Sequence, residues 1–217
     1  MDNILIGNRT PDQLYNRIFV VSAYGGITNM LLEHKKTGES GVYARFANAE
    51  SEEAWVDALN QVQVRMQEIN AELFDGEFER NAADNFVIER LNDVRECMKS
   101  LQNLCSYGHF QLDEHLLKVH EMLASIGEAH SAHNSVLALR AAGVNARFVD
   151  LTGWNNAEPV AFEEMVAKQF EGVDISSEMV IATGYTHCEE GLMKTFDRGY
   201  SEMTFSMIAT VTGAQEA

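Results

Sequence analysis

At 217 residues the chain is long enough for one sizeable domain, or for a domain carrying an added lobe. Its 46% hydrophobic and 23% charged content is that of an ordinary globular protein, and it holds no run of about twenty apolar residues that would span a bilayer. A formal net charge of −17 sets the surface against nucleic acid and anionic lipid, so any phosphate site must be a local exception built from backbone N–H groups and a few placed cations.

Met1-Asp2-Asn3-Ile4 lacks the basic start and apolar run of a signal peptide. The three cysteines, Cys97, Cys105 and Cys188, are odd in number and without a CxxC spacing, which suits reduced thiols. A cytoplasmic protein with no membrane or nucleic-acid partner is expected.

In chain order, Arg17 to Ala23 reads as a buried strand, rich in β-branched and aromatic residues. It breaks at Tyr24-Gly25-Gly26, and a helix should follow with Ile27, Met30 and Leu31 inward. Strand, glycine turn and helix together leave N–H groups free to meet an anion. From about 50 to 126 the pattern is helical. Trp55, Leu59, Val62, Met66, Ile69 and Leu73 form one apolar stripe, and Val87, Leu91, Val94, Met98 and Leu101 form a second. Leu112, Leu116, Val119 and Leu123 suggest a shorter third helix. From about 127 the pattern returns to alternating strands and helices. One helix ends at Ala141-Ala142 with Gly143 as a left-handed cap. Strands are expected at Val144–Val149 and at Met179–Gly184, then a helix from Ser201 to Val211. Such alternation predicts an α/β fold with a mostly parallel sheet covered on both faces. Ligands bind such sheets outside the carboxyl ends of the strands, which points to Ser22–Thr28 and Gly184–Ser201.

Three segments carry possible chemistry. Gly25 and Gly26 permit close backbone approach to a ligand, with the Ser22 and Thr28 hydroxyls at the rim. Gly127-Glu128 reads as a carboxylate at a helix start, either a favourable dipole contact or a receptor for a ligand ammonium. Arg198, beside Gly199 at another helix start, offers a fork for a carboxylate or phosphate, and Ser201 reads as a ligand contact or a plain N-cap. His130 with His133, and His187-Cys188-Glu189-Glu190, are the candidates for a metal, but neither has a recognised zinc spacing and no metal site is assigned.

Taken in order, these segments resemble the aspartate kinases of the amino-acid-kinase family. The resemblance rests on Val-Ser-Ala-Tyr-Gly-Gly-Ile-Thr-Asn at 21–29, on Gly127-Glu128 followed by Ala142-Gly143-Val144, and on Arg198-Gly199-Tyr200-Ser201-Glu202 where the family carries Arg-Gly-Gly-Ser-Asp. Gly184-Tyr185-Thr186 and Thr212-Gly213-Ala214 fit as well. The chain looks most like the aspartate kinases encoded with ectoine biosynthesis. The resemblance implies a three-layer αβα amino-acid-kinase fold with a large helical insertion, filling residues 1–217 as a partial catalytic domain with its helical lobe at about 50–126. It implies phosphoryl transfer from ATP with Mg²⁺ to the side-chain carboxylate of L-aspartate, and a homodimer. Ser22 and Thr28 would line the aspartate pocket. Glu128 would bind the α-ammonium and Arg198 the α-carboxylate, with Ser201 and Glu202 beside them and Gly25 and Gly26 near the nucleotide. Tyr200 and Glu202 depart from the family's Gly and Asp. The family's Lys-x-Gly-Gly-Thr strand has no match, nor does its Asp-rich nucleotide segment or a regulatory ligand-binding domain. The chain is therefore expected to be incomplete at both ends and to have little activity alone. The competing expectations are another amino-acid kinase of the same fold, a non-catalytic oligomerisation or regulatory fragment, and a helical metal-binding protein.

Overall fold

The computed structural model describes residues 5–7, 10, 13–48, 51–154, 160–195 and 200–214. Its contacts divide the chain into two compact units, one of residues 1–22 and 131–217 and one of residues 23–130.

The first unit is built on three parallel strands: β1 (Ile18–Val21), β2 (Ala146–Val149) and β3 (Met179–Thr183), in the order β1-β3-β2. Ile181 stands opposite both Phe19 and Phe148. Successive side chains of a strand point to opposite faces, and the packing follows that rule. Met179 and Ile181, with Phe19, Val21 and Ala146, pack against Ala132, Val136 and Leu139 of helix α5 (Leu116–Ala141). Val180 and Ala182, with Ile18, Val20 and Val149, pack against α6 (Phe162–Phe170) and α8 (Tyr200–Thr212) through Phe162, Val166 and Ile208. The three-layer αβα expectation is met, and all five residues of the central β3 are buried. A short helix α7 (Leu192–Thr195) precedes α8. Gly143 caps α5 at φ 80°, as its sequence position predicts.

β1 corrects one expectation. It was read as buried, yet all four of its residues are half-buried, because among the described strands it has β3 as a neighbour on one side only.

The second unit is helical: α1 (Ile27–Leu31), α2 (Val42–Ala47), α3 (Glu52–Leu73), α4 (Glu77–Cys105) and the first part of α5. Ser51 caps α3 by accepting the Ala54 N–H, and Glu52 and Glu53 complement the helix dipole. α3 and α4 form an antiparallel hairpin, since Glu52 pairs with Lys99 while Asn70 bonds Asp84. Their facing stripes put Trp55, Leu59, Met66, Leu91 and Met98 at 0% exposure, each burial contributing about 1.5–3 kcal/mol. Phe46 of α2 meets Trp55 edge to face at 5.7 Å. Three positions read as inward-facing depart from expectation. Leu73 is exposed, because α3 ends there and Phe74, turning to extended backbone, takes the buried place. Met30 of α1 and Leu101 of α4 are only half-buried.

The third predicted helix is also different. Leu112 lies in a separate 3-10 turn, and α5 begins at Leu116 and runs unbroken for 26 residues. Gly127-Glu128 is therefore the middle of a helix and not its start, which removes the dipole reading of Glu128.

Between α1 and α2 the chain folds back so tightly that a Cβ on Gly41 would lie 2.4, 2.6 and 2.8 Å from the carbonyl oxygens of Met30, Leu32 and Asn29. The constraint is steric, since Gly41 has an ordinary φ of −85°. Gly41→Ala should destabilise the chain by about 2–4 kcal/mol, because three backbone carbonyls cannot swing aside as a side chain would. Chemical denaturation of the two proteins measures this directly.

Candidate functional site

In the helical unit the candidate residues gather around the turn from Ala23 to Thr28. Gly26 adopts φ 88°, a left-handed conformation that disfavours any side chain, and it starts α1. Gly25 and Gly26 are exposed, with nothing within 4 Å of the positions a Cβ would take. The turn thus offers bare backbone, as the sequence suggested. Thr28 is half-buried and its carbonyl accepts the Leu32 N–H. α1 is only five residues long, which makes it a weak source of dipole attraction.

Helix α5 holds this turn from one side. A Cβ on Gly127 would lie 2.8 Å from the Ala23 Cβ and 3.1 Å from the Ile27 Cγ2. Glycine costs about 1 kcal/mol inside a helix, and here the cost gives α5 its close approach to the turn. One position further on, Glu128 is 3% exposed, a carboxylate placed deep in the unit. At position 130 the histidine ring meets Tyr24 edge-on at 5.3 Å, and its Nε2 lies 2.7 Å from the Asn70 Oδ1. His130 is thus part of a hydrogen-bonded core. Among the described residues no three His, Cys, Asp or Glu side chains converge to hold a metal.

A cavity of about 320 Å³ opens beside the turn, lined by Gly25, Gly26, Asn29, His34, Arg45 and Arg65 among others. His34 Nδ1 accepts the N–H groups of Lys36 and Thr37. Arg65 also pairs with Glu68 at 2.9 Å. Arg65 pairs with Glu72 as well, at 3.4 Å, and Glu39 also lines the cavity, so its charge is mixed.

In the α/β unit, candidate residues lie at the carboxyl ends of the strands. Ser22 follows β1, is exposed, and its carbonyl accepts the Ser131 hydroxyl at 2.6 Å. Thr183 ends β3. Its hydroxyl donates to the Tyr185 carbonyl and accepts the Leu151 N–H, both at 3.0 Å, so it ties the segment after β2 to the segment after β3. The His187 N–H adds a second tie to the Leu151 carbonyl. Thr186 pairs with Thr204 of α8, and the Tyr185 and Tyr200 rings meet edge to face, fixing the first turn of α8 against these segments. Ser201 and Glu202 lie in that turn, half-buried and exposed respectively. Because α8 begins at Tyr200, Ser201 is a helical residue, which removes the N-cap alternative for it. Arg198 lies outside the described residues. Burial pushes the Cys188 thiol up to about 11, which keeps it protonated and unreactive at neutral pH.

The predicted residues therefore fall into two groups: Gly25, Gly26, Thr28 and Glu128 in the helical unit, and Ser22, Ser201 and Glu202 in the α/β unit. Sequence reasoning missed Asn70 and Thr183, polar residues within apolar patterns whose partners are remote in sequence. A buried Asn at a position that continues a helix stripe was the available signal.

A model of the amino acid kinase family matches residues 8–217. The chain is 65% identical over all 217 residues to a protein of Stutzerimonas stutzeri (strain A1501) named aspartate kinase Ask_Ect, and it spans 46% of that protein's length. No solved structure matches.

Substitutions at two positions test the geometry. Gly127→Ala should cost about 1–3 kcal/mol despite the better helix former, because the new methyl displaces the Ala23–Ile27 turn; thermal unfolding gives the sign. Thr183→Val leaves a buried N–H and carbonyl unsatisfied and should cost about 1–3 kcal/mol, whereas Thr183→Ser should keep most of the stability.

Proposed function

Because the chain belongs to the amino acid kinase family, we propose that it is part of an aspartate kinase, transferring the γ-phosphoryl group of ATP to the side-chain carboxylate of L-aspartate in an amino-acid or ectoine pathway. The observation that carries this reading is the 65% identity, over the whole chain, to the Stutzerimonas protein of that name. In the reaction an aspartate carboxylate oxygen bonds to the γ-phosphorus while the bond to the β–γ bridging oxygen breaks, giving 4-phosphoaspartate and ADP. The nucleophile is already ionised at neutral pH, so no general base is required. The barrier is bringing two anions together, and catalysis comes from positioning and from placed positive charge.

In this reading Glu128 pairs with the α-ammonium of aspartate and Arg198 grips its α-carboxylate through a two-toothed guanidinium. Ser22, Thr28, Ser201 and Glu202 complete the polar lining. Glu128 suits the role because a buried carboxylate binds a cation strongly where water is excluded. The bare backbone at Gly25 and Gly26, with Arg45 in the adjoining cavity, suits polyphosphate. ATP would come to the site with Mg²⁺, which would offset phosphate charge there. A cytoplasmic setting fits the three unpaired cysteines. Self-association as a homodimer fits the apolar side chains left exposed on α3 and α4, Val64 and Phe78 above all.

The 217 residues contain no Lys-x-Gly-Gly-Thr, so the chain alone should bind aspartate yet release little ADP from ATP. Calorimetric titration should show aspartate binding that weakens at least about tenfold in Glu128→Gln and in Arg198→Ala, the loss of a charge-assisted contact. A folded chain that binds no aspartate would sink the assignment. Rapid ADP release dependent on aspartate would overturn the expectation of inactivity.

A further inference from the structure

His130 lies at the inner end of a hydrogen-bonded chain that crosses three helices. At its outer end is Asp84 on α4, half-buried, with Arg80 beside it at 4.0 Å. The Asp84 carboxylate can only accept, so the Asn70 amide must turn its Nδ2 toward it, and that contact is 2.8 Å. The Asn70 Oδ1 is then forced to face His130, where it lies 2.7 Å from Nε2. An amide oxygen only accepts, so Nε2 must carry the proton. Asn70 and His130 are both 0% exposed, and in that setting water cannot substitute for the contact between them. The imidazole so fixed presents its ring to Tyr24. Tyr24 directly precedes Gly25 and Gly26, the two residues of the turn with no side chain to anchor them. Gly127, one helical turn before His130 on α5, abuts the same turn at Ala23 and Ile27.

We propose that His130 is a positioning residue for the Ala23–Thr28 turn, held in a single ring orientation and in the Nε2–H tautomer by the Asp84–Asn70 relay. This inference rests on the aspartate-kinase reading, in which that turn lines the substrate pocket. The relay anchors a loop that must stay bare at its tip to admit ligand. Displacing a positioned group by about 1 Å can cost orders of magnitude in function, so the anchor sets how well the pocket is pre-formed.

The test compares the wild-type chain with Asn70→Leu, which cuts the relay, and with Asp84→Ala, which removes the orienting carboxylate at a half-exposed position. Nitrogen-15 spectra of the His130 ring should show one Nε2–H tautomer in the wild type and a mixture in both variants. The Tyr24 ring resonances should shift with it. Aspartate affinity should fall about tenfold in Asn70→Leu and about two- to threefold in Asp84→Ala. A purely structural His130 would lower the melting temperature while leaving Tyr24 and the affinity unchanged, and that result overturns the proposal. So does an Nδ1–H tautomer in the wild type. If Asn70→Leu does not fold, Asp84→Ala decides by the same readouts. If the wild type binds no aspartate, the functional reading fails, and the Tyr24 resonances still decide whether the relay holds the turn.

Discussion

The helical unit depends on one close approach, that of α5 to the Ala23–Ile27 turn at Gly127. Any side chain there would collide with a methyl group of Ala23 and with Ile27, itself fully buried at the start of α1. Helix propensity argues against glycine in the middle of a 26-residue helix, and packing overrides it. The neighbouring positions gain from the arrangement. Glu128 is carried into the interior, and His130 reaches both Asn70 and Tyr24. A short stretch of helix thus sets the conformation of a loop distant in sequence.

The α/β unit follows a different rule. β3 lies between β1 and β2 with both faces covered, so all five of its residues are apolar or, like Thr183, internally satisfied. Thr183 comes where the strand stops, and its hydroxyl does the work of a missing backbone pair by joining the segments after β2 and β3. The threonine pair at 186 and 204 extends the same device to α8. Polar side chains at the carboxyl ends of the strands thereby become supports for loops, and Ser22 and the first turn of α8 stand among them.

Much of this was legible in the sequence. The alternation of strand and helix around Val149 and Ile181, and the 3.6-residue stripes through Trp55–Ile69 and Val87–Met98, gave the layers and the helical hairpin because burial imposes those periods locally. The left-handed Gly143 was legible for the same local reason. Gly127 was misread, since glycine usually marks a helix end and its true role depends on Ala23, a hundred residues earlier. Asn70 was invisible because its partners, Asp84 and His130, come from two other helices. His130 was weighed as a metal ligand on the spacing of its neighbours alone, whereas its chemistry is set by an amide sixty positions away. The grouping of the candidate residues into two units likewise follows from contacts that no local pattern encodes.

β1 has a further consequence, for handling the protein. Its sequence is Ile-Phe-Val-Val, half-exposed, with one flank meeting no other described strand, and such an edge is a template for pairing with a second chain. The net charge of −17 works against that pairing, since like-charged molecules repel at long range. Added salt shortens the reach of the repulsion to about 8–10 Å at physiological ionic strength and to about 3 Å at 1 M. Acidification toward the sequence pI of about 4.7 removes it altogether. Colloidal behaviour should therefore be governed by solvent conditions more than by folding stability, and dilute, low-salt buffers above neutral pH favour a dispersed chain.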